Sequence, residues 1–398
     1  MKCRSVELSN FRNIECESVS FSDGINVLWG NNAQGKSNIL EGIYYFARGR
    51  SFRGAKDREM IRFQSSFASL KMDCIRDRAE HPVTLEVTMT AEKGSRTVTR
   101  DKAKLSGMSE LIGSFRAVLF CPAHLSLVGG APQNRRSFLD IAISQLSPSY
   151  IADLSKYTRL LLQRNAALKA AEKGESIPFQ LWETFAEQIA EPASRIASLR
   201  FDYMSMLSGE METLFQEMTG GAEKPRLSYV SHAVGNTSLK NGETDEIEAE
   251  SRPTFGSTSL GGERIYELLT SDVEKEIRYG ATLWGVHKDD IRIRLNGKEA
   301  RSFASQGQMR SLALAMKLSE GELSRKIGGE KPVILLDDVL SELDLERREF
   351  VLNSMKDRQI IVTSCEPGLF DSVGEEVNLI GVKGGCVFNG GGAYVCFE

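Results

Sequence analysis

Gly30-Asn31-Asn32-Ala33-Gln34-Gly35-Lys36-Ser37 fits the phosphate-binding pattern G-x-x-x-x-G-K-[ST], a P-loop. Gly30 and Gly35 let the backbone turn tightly, so that successive N–H groups from Asn31 to Asn38 face the β- and γ-phosphates of a nucleotide. Lys36 neutralises those phosphates, and Ser37 ligates Mg²⁺. Near the other end of the chain the apolar run Val333-Ile334-Leu335-Leu336 meets two carboxylates, Asp337 and Asp338. A buried strand ending in this way carries the Mg²⁺-orienting aspartate of a P-loop NTPase. In this reading Asp337 holds the metal's water shell, and Asp338 polarises the attacking water as a general base.

These groups need elements to position them. The run Ile25 to Leu28 reads as a buried strand, and Asn38 to Phe46 has helical spacing, so the glycine loop has the strand and helix it requires. Residues 2 to 28 read as short strands with turns at Asn10 to Asn13 and at Ser22 to Gly24. Alternation from Ser66 to Arg100 predicts an antiparallel meander, and Phe115 to Cys121 is a further strand stopped by Pro122. The expected class is α/β, a mixed sheet with an antiparallel extension and an inserted, mainly helical lobe.

Beyond Pro132, Gln133 to Leu146, Pro148 to Glu172 and Pro178 to Met218 have helical periodicity, with breaks at Lys173 to Ser176 and near Pro192. Arg226 to Ser231 is a candidate strand, residues 235–262 a hairpin or mobile connection, and Glu263 to Tyr279 a helix. Ile291 to Leu295, Asn296-Gly297 and a second strand to Phe303 form a hairpin with a primed turn. A long amphipathic helix opens at Ala304 to Arg310. Another helix starts at Ser341 to Asp344, and Gln359 to Ser364 is one more buried strand.

With 50 Lys and Arg against 54 Asp and Glu, the net charge of −4 gives no global signature of a nucleic-acid-binding protein. DNA contact must come from local clusters, Arg48, Arg50 and Arg53 in one and Arg135 and Arg136 in another. Seven cysteines are scattered without a C-x-x-C pair, which suggests neither a disulfide framework nor a zinc site. No apolar run approaches the length of a membrane span, and Met1 to Leu8 reads as a strand, so a cytoplasmic protein without a membrane partner is expected.

Ser305-Gln306-Gly307-Gln308, at a helix start ahead of the Asp337 strand, resembles the signature motif of ABC-type ATPases. Ser341-Glu342-Leu343-Asp344 resembles their D-loop. Together with Gly49-Arg50-Ser51-Phe52-Arg53, Arg135-Arg136-Ser137-Phe138-Leu139-Asp140 and His287-Lys288-Asp289-Asp290, these motifs make the full chain resemble the RecF family of bacterial recombination mediators. The resemblance implies an ABC-type head. Its nucleotide-binding lobe is built from residues 1–122 and 325–398, and its helical lobe, residues 123–324, presents the signature. It implies that ATP is sandwiched between the P-loop of one subunit and Ser305, Gln306, Gly307 and Gln308 of another, with Asp344 among the nucleotide contacts and Glu342 a second candidate base. An ATP-dependent homodimer with weak, switch-like hydrolysis follows. Double-stranded DNA, at junctions with single strands, is the implied target, and RecR and RecO are the implied partners in loading the recombinase.

Three departures stand out. Asn32-Ala33 replaces the family's commoner Asn-Gly, and Pro122-Ala123-His124-Leu125 replaces Pro-Glu-Asp-Leu, which removes two carboxylates. Lys288 stands where Arg is commoner and lacks its bidentate fork. Competing classes fit less well. An SMC-type structural ATPase needs long heptad runs that this chain lacks, and a transporter ATPase subunit gives no reason for the antiparallel extension.

Overall fold

The apolar patterning separates two kinds of strand, and the computed structural model builds a different sheet from each. It describes residues 1–77, 79–92, 94–231, 246–247, 254–355, 357–366, 370 and 377–389. Alternating sequences form the first sheet: β1 (Lys2–Phe11), β2 (Ile14–Ser20), β4 (Phe67–Ile75), β5 (Val83–Thr90), β6 (Arg96–Arg100) and β7 (Ala103–Lys104), in the order β2-β1-β4-β5-β6-β7. Every pairing in it is antiparallel. Val6, Leu8, Leu70, Met72, Leu85 and Val87 fill its buried face, as a period of two dictates.

Continuous apolar runs form the second sheet. Its strands are β3 (Ile25–Trp29), β8 (Ala117–Phe120), β13 (Val333–Leu336), β14 (Ile360–Ser364), β15 (Val377–Lys383) and β16 (Cys386–Asn389), in the order β16-β15-β3-β14-β13-β8. The strands from β15 to β8 are mutually parallel, and only β16, on the edge, runs antiparallel. Parallel strands buried on both faces read as unbroken apolar sequence. The helix Lys36–Arg48 fits closely against the first sheet, where a Cβ on Gly42 would stand 2.7 Å from a methyl of Leu8 on β1.

The chain divides into two units, residues 1–124 with 320–398, and residues 125–319. The second contains the helices Pro132–Ser144, Pro148–Glu172 and Phe179–Thr219 and a small antiparallel sheet. Its strands are β9 (Pro225–Val230), β10 (Glu246–Ile247), β11 (Asp290–Leu295) and β12 (Lys298–Glu299), ordered β10-β9-β11-β12. The helix Gln306–Gly328 carries the chain across the boundary. Among the described residues, no helix is long and apolar enough to cross a membrane.

Several expectations are corrected. Pro192 does not break its helix, which runs unbroken from Phe179 to Thr219. A mid-helix proline costs about 3 kcal/mol. Here Ile189, Ala190, Ala193, Ile196 and Ala197 are all buried around it, and each larger apolar side chain buried returns roughly 1.5–3 kcal/mol. Glu263 to Tyr279 is two helices, Glu263–Ser271 and Val273–Tyr279, because the Asp272 side chain accepts the Lys275 N–H at 3.1 Å and starts the second. The primed turn stands, with Asn296 at φ 51° and Gly297 at φ 78°, but β12 ends after two residues and Ala300–Phe303 is helical. The last helix begins after Asp344, at Leu345, and is preceded by a 3₁₀ turn, Leu340–Glu342. The connection expected over 235–262 lies largely outside the described residues.

Candidate nucleotide site

Strands β3, β14 and β13 are parallel neighbours, so the segments that follow them emerge at one edge of the sheet. Ligands in open parallel sheets bind at such carboxyl ends. The loop after β3 is the P-loop, and its first glycine is fixed by packing. Gly30 has φ 151°, and a Cβ there would lie 2.2 Å from the Val382 carbonyl oxygen on β15. Gly35, at φ 116°, caps the helix Lys36–Arg48, and a Cβ on it would meet the Asn13 side chain at 3.0 Å. Between them Ala33 holds φ 63°, a left-handed conformation that glycine adopts without a Cβ penalty. The loop is braced from two sides. Asn13, in the β1–β2 turn, donates to the Gln34 carbonyl at 3.2 Å and accepts from Asn38 Nδ2 at 2.8 Å. In the β15–β16 turn, the Gly385 N–H donates to the same carbonyl at 2.8 Å and the Gly384 N–H to Gln34 Oε1 at 2.6 Å.

Lys36 is buried, yet its ammonium donates to the carbonyls of Gly30 (2.6 Å) and Asn31 (3.0 Å) and reaches Cys365 Sγ (3.4 Å), not a carboxylate. Its charge is therefore solvated by loop dipoles and available to an anion. Asp337 follows β13, and its N–H bonds the Phe120 carbonyl at 2.8 Å. Burial raises the pKa of this carboxyl above the usual aspartate value, and the Asp338 charge adds to the shift. The Ser37 hydroxyl hydrogen bond, the Arg53 charge and the Thr363 hydroxyl oppose it. The residues assigned to the metal, Ser37 and Asp337, are thus near enough to influence one another. Asp338 stands at φ 53°, with its N–H donated to Thr363 Oγ1 at 2.9 Å. A cleft of about 270 Å³ beside it is lined by Asn32, Ser341, Thr363, Cys365 and Glu366.

The donor set suits Mg²⁺ carried with phosphate. One hydroxyl and one carboxylate are neighbours, while among the described residues no group of three or more His, Cys, Asp or Glu side chains could hold a metal without further ligands.

The other candidate residues divide. Arg53 is exposed, donates to Asn38 Oδ1 at 2.8 Å, on the P-loop helix, and its charge reaches Asp337, so the nucleotide site is within its influence. Arg48 is half-buried and donates to the Ser51 carbonyl at 3.2 Å, whereas Arg50 is exposed. Arg135 is corrected outright: it is buried, and its guanidinium is committed to both carboxylate oxygens of Asp290, at 2.7 and 2.9 Å, and to the Gly130 carbonyl. Arg136 donates to the Asp289 carbonyl at 2.8 Å and to Gln133 Oε1 at 2.9 Å. The Arg135 fork is filled, whereas the half-buried Arg136 spends two of its five N–H groups on these contacts.

Ser305 and Gln308 form a reciprocal cap in the second unit. The Ser305 N–H donates to Gln308 Oε1 at 2.7 Å, and the Gln308 N–H to Ser305 Oγ at 3.2 Å. Gln306 is exposed, and a Cβ on Gly307 would meet nothing nearer than Ser305 Oγ at 3.9 Å, so the helix start is open. Asp344 caps its own helix by accepting the Arg347 N–H at 2.9 Å. Glu342 falls in the 3₁₀ turn, and its side chain lies outside the described set. Three contributors were missed from sequence: Asn13, the Gly384-Gly385 turn and Thr363. The one signal for Thr363 is a hydroxyl ending an otherwise apolar strand.

A P-loop after one parallel strand, paired aspartates after another and a flanking antiparallel sheet define an ATPase head of the ABC/SMC type. The chain belongs to the RecF/RecN/SMC N-terminal domain family, whose model matches residues 2–387, and within it to the RecF proteins. It is 34% identical over 390 residues to the DNA replication and repair protein RecF of Clostridium novyi (strain NT), covering 97% of this chain and 99% of the relative. The corresponding protein of Shouchella clausii (strain KSM-K16) is 35% identical over 394 residues, with the same 97% and 99% coverage. A solved structure described as that of the recombination mediator protein RecF-ATP in the RecFOR pathway superposes with a TM-score of 0.84 at 30% identity, over 97% of this chain and 96% of the other. An SMC head bound to the C-winged helix domain of ScpA, at 14% identity and a TM-score of 0.52, shares the fold.

Proposed function

We propose that this protein is an ATP-driven switch of recombinational repair and replication restart, which dimerises on ATP, binds duplex DNA beside single-stranded gaps and helps to load a recombinase with RecO and RecR. The likeness to the ATP-bound RecF structure, over nearly the whole of both chains, carries the reading. The P-loop N–H groups and Lys36 bind the β- and γ-phosphates. Ser37 and Asp337 would hold Mg²⁺, which when bound supplies charge neutralisation at the phosphate oxygens. Asp338 takes the proton of the attacking water. It is one methylene shorter than the glutamate common in ABC ATPases, so it reaches the water less well and turnover is slow. At the open helix start the Gln306 and Gly307 N–H groups, which the Ser305–Gln308 cap does not use, donate to the γ-phosphate held by a second copy, so ATP joins two chains and hydrolysis releases them.

With Arg135 committed internally, the exposed Arg50 and Arg53 and the half-buried Arg48 and Arg136 remain of the named DNA clusters. Doubling them in a dimer doubles the phosphates neutralised at once. Because affinity falls with salt roughly as the number of phosphates contacted, the ATP state has about twice the salt slope. Fluorescence-anisotropy titrations of duplex DNA at several salt concentrations, with ATP and with ADP, test this. Tighter binding and a steeper slope with ATP are expected, and equal affinity and slope in the two states would remove ATP gating of DNA.

A further inference from the structure

Asp338 is the proposed base, yet it sits in a conformation that L-residues rarely adopt, at φ 53°. Aspartate tolerates the left-handed region better than most residues, but the conformation persists only where its surroundings over-determine it. Two bonds hold its backbone here: the Asp338 N–H donates to Thr363 Oγ1 at 2.9 Å, and the Asp338 carbonyl accepts from Ser341 Oγ at 2.9 Å. Thr363 is buried on β14. The β13–β14 register pairs Leu336 with Val362, which sets Thr363 beside Asp337 as the two strands end. Its β-branched side chain has little χ1 freedom, so the hydroxyl is held in place.

The same hydroxyl faces both carboxylates. Thr363 Oγ1 lies 3.2 Å from Asp337 Oδ1 and 3.1 Å from Asp338 Oδ1. A hydroxyl has one proton and two lone pairs, and the Asp338 N–H takes one lone pair. Ionised carboxylates only accept, so a single proton is contested by two acceptors. In a buried setting the acceptor left without it is under-satisfied, and the carboxylate with more uncompensated charge attracts the proton more strongly.

We propose that Thr363 is a positioning residue for hydrolysis: it pins the Asp338 backbone in its left-handed conformation and turns its one proton from Asp337 to Asp338 when a cation compensates Asp337. With a cation held by Ser37 and Asp337, the Thr363 hydroxyl proton would aim the Asp338 carboxylate. The proposal rests on the reading of Asp338 as base and goes beyond it by naming what aims that carboxylate and when.

Thr363→Val removes the hydroxyl at nearly constant shape, and Thr363→Ser restores it. For Thr363→Val the expected result is a kcat for ATP hydrolysis at least tenfold lower, with KM and the directly measured ATP Kd within about twofold of wild type, since the P-loop is untouched. Its nucleotide-free melting temperature falls, because the Asp338 N–H loses its acceptor. Thr363→Ser recovers most of both losses. In an Asp338→Asn background Thr363→Val lowers kcat no further, because the two residues act as a unit. A wild-type kcat in Thr363→Val, or an equal loss in Thr363→Ser, overturns the proposal and leaves Asp338 as the base. Undiminished hydrolysis in Asp338→Asn overturns the base assignment itself, and the positioning role with it.

Discussion

Two regions of this molecule bury charge on opposite terms. In the second unit Arg200 is 2% exposed and each nitrogen of its guanidinium is answered: by the Tyr150 hydroxyl at 2.9 Å, Asp140 Oδ1 at 2.8 Å, Asp289 Oδ2 at 2.7 Å and the Val286 carbonyl at 2.8 Å. Burial disfavours its charge, and the surrounding Asp140, Tyr150, Tyr229 and Asp289 more than restore it. His287 belongs to the same packing. Its Nε2 meets the Thr282 carbonyl, which can only accept, so Nε2 carries the proton and Nδ1 accepts from the Tyr157 hydroxyl at 2.6 Å. In the first unit the terms are reversed. Asp337 is buried beside another carboxylate, Lys36 rests on carbonyl dipoles, and Ala33 and Asp338 hold positive φ. Charge balanced internally holds the fold together; charge left unbalanced and backbone left strained are what a ligand completes.

The comparison is most easily broken at Arg200. Arg200→Ala leaves Asp289 buried without its cation, which costs about 3–5 kcal/mol, and should lower the melting temperature by roughly 10 °C with little change in the ATP affinity of the folded protein. A small thermal shift would mean that the network is incidental. Lys36→Ala should do the converse. Loss of charge-assisted bonds to phosphate, about 3 kcal/mol in all, weakens ATP binding by roughly a hundredfold in equilibrium titration, while the nucleotide-free melting temperature moves little.

Asp337→Asn sharpens the contrast, because it should stabilise the nucleotide-free protein, by on the order of 1 kcal/mol, while impairing Mg²⁺-dependent nucleotide binding. The sign follows from the carboxyl pKa, which burial raises in the folded chain. The charged form is then a cost of folding that is absent below the unfolded pKa and grows as pH rises through the folded value. The stability gap between Asp337→Asn and wild type should therefore shrink as pH is lowered in a thermal-melt series. A gap that widened towards acid would show that Asp337 is stabilised in its charged form. Ala33→Gly is expected to be smallest. It relieves a left-handed alanine at the cost of a more flexible unfolded chain, for a net gain of about 0.5 kcal/mol with ATP affinity kept.

What could be read from the sequence followed from period and spacing. The alternating and continuous apolar strands, the P-loop and the Asp337-Asp338 pair are local patterns, and each fell where its pattern placed it. The misreadings concern partners distant in sequence. Arg135 has the composition of a DNA-binding patch until Asp290 arrives beside it from over 150 residues away. Pro192 breaks a helix by propensity, and only the burial around it reverses that. Strands β15 and β16 were not anticipated, and β15 supplies the carbonyl that makes Gly30 obligatory. Thr363 has significance only because β14 lies between the strands that lead to the P-loop and to Asp337.

ATP held at Lys36 should be completed by Ser305 to Gln308 of a second copy. Light scattering on a sizing column, with Mg²⁺ and either ATP or ADP, tests it directly, with Ser305→Arg as the variant that places a bulky cation where the partner's nucleotide docks. The prediction is twice the mass of one chain for wild type with ATP and one chain with ADP. Ser305→Arg should remain at the mass of one chain in both while still binding ATP. The same mass for wild type in both nucleotides, or doubling by Ser305→Arg with ATP, would contradict it.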